Sequence, residues 1–210
     1  MTGLRDRKKK EVRHRIIQAA AGLFADNGLD GTTMEEIART ADVSVATVYN
    51  YFGNKNSLLL AGVAEDTEEM IQLGSAVLAR PGTNPVKAVQ RLLDVYSEHF
   101  SSWDPALLRE VLSAAYRRAG GEELTIELAA MDQRLIEQLM TLLSGFHDKG
   151  KLNTNVDVYE ATLLLFSAFV LQLFMYLSVE GFTITNLRDQ VARQVELAFS
   201  GLAPPRQESE

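Results

Sequence analysis

The stretch TTMEEIARTADVSVATVYNYFGNKNSLLL, Thr32 to Leu60, decides the fold. Thr33 stands three residues before Glu36, the spacing of a capping box, in which the hydroxyl accepts a first-turn backbone N–H and the carboxylate reaches back to the cap. A helix is therefore expected from Met34. It places Ile37, Ala38 and Ala41 on one side and runs out between Thr40 and Asp42. Ser44 supplies a second N-cap oxygen, and Val45, Val48 and Phe52 recur behind it at helical spacing, which turns them inward. The outer face is left to Ala46, Thr47, Tyr49, Asn50 and Tyr51. Two short helices around a tight turn, the second with a small or polar outer face, make a helix-turn-helix whose second helix fits a major groove. Asn54 caps a third, longer helix, with Lys55 at its positive end.

Read from Phe24 to Lys55, the pattern F-x-x-x-G-x-x-x-T-T-x-x-x-I-A-x-x-A-x-V-S-x-x-T-x-Y-x-Y-F-x-x-K resembles the DNA-binding domain of the tetracycline-repressor (TetR) family. The resemblance is dense over the first quarter of the chain and beyond it rests on length and an all-helical pattern. It departs at Val45, where many members carry a basic or polar residue, at Ala46, where glycine is frequent, and at Asn56, where an acidic residue is common. The resemblance implies an all-α fold with an N-terminal three-helix helix-turn-helix domain and a larger helical domain for effector binding and dimerisation. About nine helices are expected, divided as 1–53 (arm and DNA-binding domain), 54–203 (effector and dimerisation domain) and 204–210 (disordered tail).

Composition fits that division. The chain has 210 residues, 46% hydrophobic, enough for a full core. It contains no cysteine, which excludes disulfides, thiolate metal sites and cysteine nucleophiles and suits a reducing cytoplasm. No charged-then-apolar leader is evident, so a cytoplasmic protein is expected. The net charge of −7 speaks against nucleic acid only until the chain is divided. Residues 1–55 carry nine Lys and Arg against seven Asp and Glu, and the remainder twelve against twenty-one. Most of the positive charge lies in the first fifteen residues, where Arg5, Arg7, Lys8, Lys9, Lys10, Arg13 and Arg15 face only Asp6 and Glu11, an arm suited to phosphates.

Residues 1 to about 10 lack apolar periodicity and read as mobile. A helix follows with Ile16, Ala20, Leu23 and Phe24 on one stripe and Gly28 as its stop. The helix from Asn54 is read as one rod to about Leu78, ended by Gly74 and the Arg80-Pro81-Gly82 break. Asn84-Pro85 and Asp104-Pro105 are the same signal twice, a cap followed by proline at the first helical position. The second of these helices is expected to run to about Arg118. Leu124, Leu128, Met131, Leu135, Leu139, Leu142 and Phe146 then form a core stripe up to Gly150. From Ala161 to Val179 the chain is apolar on every side, long enough for a membrane span. It lacks a basic flank and carries Gln172, so a helix buried on all sides by a second subunit is the reading taken, with no membrane partner. A last helix, about Asn186 to Ser200, adds Leu187, Val191, Val195 and Ala198.

These features assign roles. For double-stranded DNA the candidates are Thr33, Tyr49, Tyr51 and Lys55 on phosphates, Ser44, Thr47 and Asn50 on base edges, and Val45 and Ala46 against thymine methyls. Two such units on a homodimer would read a palindromic operator. Phe169, Leu173 and Leu177, with Val191 and Val195, are the expected dimer seam. The family resemblance, not the spacing, implies an effector pocket, for which Tyr96, His99, Phe100, Trp103, Tyr116, Met131 and Phe146 are the candidates, taking a small apolar or aromatic compound. His14, His99 and His147 lack metal-ligand spacing, and Ser101 and Ser102 near His99 lack an oxyanion loop, so no metal, cofactor or enzyme activity is expected. The function read from the sequence is a ligand-responsive repressor released from its operator by the effector. The alternative, prompted by Val45 and Ala46, is a helical small-molecule sensor or carrier that acts through a protein partner.

Overall fold

A computed structural model describes residues 3–101, 105, 106, 108, 109 and 122–202. Among them the chain is all-α and forms eight helices: α1 Leu4–Gly31, α2 Met34–Thr40, α3 Val45–Phe52, α4 Lys55–Ala79, α5 Pro85–Ser101, α6 Glu122–His147, α7 Val158–Ser178 and α8 Ile184–Leu202. The helix expected from Pro105 to Arg118, the stop at Gly120-Gly121 and the tail 204–210 lie wholly or largely outside the described residues, as do the side chains of Leu124 and Leu128.

The described residues form two compact units, one within 1–67 and 103–128 and the other within 68–102 and 129–210. The division falls inside α4 and not at its start, for a packing reason. Leu58 and Leu59 on the first turns of α4 are buried with Ile16, Phe24, Ile37, Val48 and Phe52 in the core of the first unit. Full burial of a side chain such as Leu58 is worth roughly 1.5–3 kcal/mol, so the beginning of α4 belongs to the core it completes.

The first helix differs from expectation at its start. It begins at Leu4, so the basic residues Arg7 to Lys10 stand on helical turns. At the other end Gly28 interrupts it with φ 73 and ψ 169, a conformation all but restricted to glycine. The expected stop is thus a kink, followed by one further turn to Gly31.

In the second unit the cap expected at Asn84 is present, and a further one stands at Asp157. Asn84 Oδ1 accepts from Lys87 N at 3.0 Å ahead of Pro85, and Asp157 Oδ1 accepts from Tyr159 N and Glu160 N at 2.9 and 3.2 Å. Each helix then lays a stripe into one core: Leu92 and Tyr96 from α5, Leu135 and Leu139 from α6, Leu165 and Phe169 from α7, Leu187 and Val195 from α8. Helices α5 and α8 run antiparallel, with Arg188 bonded to Asp94 and Glu98, each at 3.1 Å, and Gln90 Nε2 donating to Ala192 O at 3.2 Å. Gly74 does not end α4; the helix continues through it to Ala79.

Gly28→Ala is expected to cost about 1–3 kcal/mol through backbone strain alone, because a Cβ there meets no atom within 4 Å. Chemical denaturation reads the loss, and an unchanged midpoint would contradict the assigned conformation.

Candidate nucleic-acid interface

The turn between α2 and α3 is built by three local devices. Thr33 and Glu36 form the full capping box: Glu36 N donates to Thr33 Oγ1 at 3.2 Å and Thr33 N donates to Glu36 Oε2 at 2.9 Å. The Thr33 backbone N–H first, and its hydroxyl second, which donates to the same Oε2 at 2.8 Å, hold the Glu36 carboxyl below its usual value. After Ala41 the chain reverses through Asp42, the one non-glycine residue with positive φ among the described residues, at 54. Aspartate tolerates that conformation better than most residues. Val43 N returns to Ala38 O at 3.0 Å, and Ser44 Oγ then caps α3 by accepting Thr47 N at 3.1 Å.

Burial of Val48 and Phe52 sets the roll of α3. Ala46, Tyr49 and Asn50 are thereby exposed on its outer face, with Tyr49 at 48%. Val45 packs partly against the core. The hydroxyls of Ser44 and Thr47 lie 2.7 Å apart and bond to each other. Tyr51 is half-buried beside Phe52 and donates to Lys9 O at 3.4 Å, which ties the end of α3 to α1. Arg13 stacks over Phe52 at 5.7 Å and pairs with Glu65 at 3.6 Å, while His14 Nδ1 lies 3.1 Å from the same carboxylate. Arg7, Lys8, Lys9, Lys10 and Arg15 are exposed. The result is a small polar helix face beside a basic helix start.

Residues 16–61, from the middle of α1 to the start of α4, match the family described as bacterial regulatory proteins, tetR family. The chain is 33% identical over 108 residues to the HTH-type transcriptional repressor KstR of Rhodococcus jostii, covering 51% of this chain and 49% of that one. Residues 16–61 are a tetR-family domain. A longer alignment, 26% identical over 190 residues and covering 90% and 87% of the two chains, joins the chain to the HTH-type transcriptional regulator RutR of Escherichia coli. The first matched relatives are thus spanned over about half of their length or less, and these relatives are transcriptional regulators. The structure of FadR from Bacillus subtilis, in complex with stearoyl-CoA, superposes with a TM-score of 0.68 at 18% identity, over 90% of this chain and 98% of that one. This likeness shows the fold.

Lys55 has a different place from the one expected of it. Its ammonium is half-buried and donates to Leu29 O at 2.7 Å and Thr32 O at 2.8 Å, with Asp30 O at 3.5 Å. The last carbonyls of a helix have no intrahelical partner, and the kink at Gly28 frees more of them. Lys55 satisfies this set from α4, and the buried Thr32 hydroxyl adds bonds to Gly28 O and Leu23 O at 2.9 and 3.1 Å. Thr32 was not singled out in the sequence, although its place after the glycine-rich turn is a legible signal. An open depression beside this tie is lined by Thr32, Thr33, Tyr49, Asn54, Lys55 and Asn56, among others.

In the second unit Tyr96, Phe100, Met131 and Phe146 are buried, and His99 is half-buried with its ring edge-on to Phe100 at 5.7 Å. Tyr96 and Phe100 both pack on Phe169, at 6.4 and 6.3 Å between ring centres. Phe146 lines a cleft of about 110 Å³ with Leu78, Pro81, Thr141, Leu142, Gly145 and Lys149. Trp103 and Tyr116 lie outside the described residues. The expected dimer seam needs correction. Phe169, Leu177, Val191 and Val195 are each at most 5% exposed within a single chain and Leu173 is half-buried, so they form this chain's own core. The large apolar residues that α7 leaves outside are Tyr159, Leu164, Val170, Leu171 and Phe174. Among the described residues no group of three His, Cys, Asp or Glu is placed to hold a metal.

Lys55→Met is expected to destabilise the first unit by about 1.5–3 kcal/mol, the usual worth of a hydrogen bond to a charged group. Denaturation without DNA measures it; full stability with loss confined to DNA affinity would return Lys55 to a phosphate. Because the Glu36 value is lowered in the fold, its contribution is complete above the ordinary carboxylate range and disappears as pH falls through the folded value. The gap in melting temperature between wild type and Glu36→Gln should therefore narrow as pH falls from neutral through the carboxylate range.

Proposed function

We propose that the chain is a DNA-binding transcriptional repressor in the cytoplasm that reads a palindromic operator as a homodimer and is released by a small organic effector. The exposed face of α3 carries the reading. Asn50 has an uncommitted amide of the kind that pairs with adenine edges, and Ala46 beside it is small enough to allow close approach. The exposed basic turns of α1 and the Tyr49 hydroxyl serve the phosphates, which position a protein on DNA without specifying sequence. In the free chain Lys55 supports this surface from behind, through the carbonyls it binds.

The dimer follows from the surface of α7. Leu164, Ser167, Leu171 and Phe174 recur at steps of three and four along one face, with the three apolar members between 53% and 61% exposed, and Leu197 on α8 is 74% exposed. The helix is long and apolar enough to cross a membrane, with a mean hydropathy of 1.9. Its opposite face, however, is committed to the core through Leu165, Phe169 and Leu177. A second copy covering one face fits this pattern better than lipid on all sides, and α7 with α8 from two copies makes a four-helix contact about a two-fold axis. For the effector, the second unit offers an aromatic interior around Tyr96, Phe100 and Phe169, and FadR of B. subtilis, which has the same fold, forms a complex with stearoyl-CoA; the reading for this chain is an apolar or aromatic organic compound.

Anisotropy titrations with DNA from the promoter of the chain's own operon test the reading. Asn50→Ala is expected to lose ~1–3 kcal/mol on the specific site and little on random DNA, whereas Tyr49→Phe weakens both alike. Equal losses for Asn50→Ala on both DNAs would remove it from base readout, and no retention of promoter DNA by wild type would leave the carrier reading. Phe174→Glu is expected to sediment as a monomer with its helices intact and to bind DNA weakly; a stable dimer in that variant would move the interface elsewhere.

A further inference from the structure

The second helix of the motif carries no charged side chain: α3 reads VATVYNYF. In a major groove guanine is read by a forked Arg or Lys contact to O6 and N7, and cytosine by a carboxylate that accepts from N4. Adenine is read by the amide of Asn or Gln, and thymine by an apolar contact to its methyl group. α3 lacks the first two kinds of reader. It has one amide, Asn50, exposed and without a hydrogen bond among the described residues. The cations of the unit do not make up the lack. Lys55 is bonded to carbonyls of Leu29, Asp30 and Thr32, and Arg13 is stacked on Phe52 and paired with Glu65. Arg39 stands on α2, the helix that crosses the backbone in this arrangement. The exposed basic residues Arg7 to Lys10 and Arg15 stand on α1.

The Ser44–Thr47 pair narrows the choice further. Ser44 Oγ accepts Thr47 N at 3.1 Å and lies 2.7 Å from Thr47 Oγ1. The N–H and the hydroxyl of Thr47 are thus both turned back on the cap that starts the helix. Two hydroxyls that share one bond keep a single hydrogen between them for an outside acceptor. A lone hydroxyl does not choose between purines, because N7 is an acceptor on adenine and guanine alike. Tyr49 is limited in the same way. The branch of Thr47 that the cap leaves unused is its methyl group. Thr47 is half-buried and its neighbour Ala46, whose side chain is a single methyl, is exposed. The base that offers a methyl group in return is thymine.

We propose that α3 reads adenine and thymine alone: Asn50 pairs with the N6 and N7 edge of an adenine, the methyl groups of Ala46 and Thr47 meet thymine methyls, and the base pairs that α3 specifies in each half-site are A·T. This rests on the reading of the chain as an operator-binding repressor and names the DNA that its surface takes. It also removes Ser44 and Thr47 from hydrogen-bond readout, the serine holding the oxygen of the threonine and the threonine presenting carbon. A G·C pair fails here on both counts. Guanine shows two acceptors where adenine shows an acceptor and a donor, so the Asn50 amide, with one of each, loses a bond. Cytosine sets its N4 amino group against methyl groups, and a desolvated donor left without a partner costs more than a contact that is merely absent.

Selection of sites from random DNA by the full chain, followed by affinity measurements with uracil in place of single thymines, tests this. The enriched sequence is expected to hold A·T at the positions whose preference Asn50→Ala and Thr47→Ser relax. Uracil differs from thymine only in lacking the methyl group. At the thymine under Thr47 it should weaken wild type about fourfold, the worth of one buried methyl group. The same substitution should cost Thr47→Ser nothing, because serine keeps the hydroxyl and its bond to Ser44 but has no methyl to lose. Thr47→Val, with methyl groups and no hydroxyl, should retain the penalty. A guanine or cytosine required where Asn50→Ala or Thr47→Ser relaxes the choice, or uracil penalties that are unchanged in Thr47→Ser, would overturn the inference while leaving the operator reading intact. A selection in which wild-type protein enriches no sequence would overturn the operator reading, and this inference with it.

Discussion

The first unit depends on the burial of Val48 and Phe52 against Ile16, Ile37 and Leu58. An eight-residue helix has too few internal hydrogen bonds to hold itself. Its existence and its roll are therefore set from the side that faces the core. Once those two side chains are inside, the positions between them have no freedom: Ala46, Tyr49 and Asn50 must face out. The recognition surface is the consequence of a packing arrangement, and Arg13 over Phe52 and Tyr51 on Lys9 O add two further ties from α1 to the same helix.

That core is closed at its edge by polar groups. The kink at Gly28 leaves carbonyls of α1 without partners, and Thr32 and Lys55 take them up from the following turn and from α4. The glycine, the buried threonine and the lysine thus form one device, in which a backbone conformation open to few residues creates acceptors that two side chains satisfy. A basic side chain placed near DNA by sequence is in this case an internal fastening. The depression that Lys55 helps to line lies beside Thr33 and Tyr49, so the fastening also shapes the surface to which a phosphate would come.

Local chemistry was legible in the sequence. The capping box at Thr33, the caps at Ser44 and Asn84, the helical period of Val48 and Phe52 and the break at Gly28 all express contacts within a few residues, and such contacts leave a pattern along the chain. Contacts between distant positions leave none. Lys55 meets carbonyls 23 to 26 positions earlier, which no spacing announces. Gly74 reads as a helix breaker until Gln138, far along the chain, is seen to cross it. The inner face of α7 is not legible because a helix apolar on every side has no phase: Phe169 and Leu177 look no different in sequence from Leu171 and Phe174, and only packing tells which pair is inside. The basic start of α1 read as a mobile arm because charge hides its helical turns.

The central claim is that two copies of α3, held apart by a dimer built on α7 and α8, read one palindrome. Hydroxyl-radical footprinting on the promoter of the chain's own operon tests it most directly, because it reports number and spacing together. The account requires two equivalent protected patches, related by symmetry, with centres about one helical turn or a multiple of it apart. A single patch at saturating protein, or uniform protection without spacing, would contradict it.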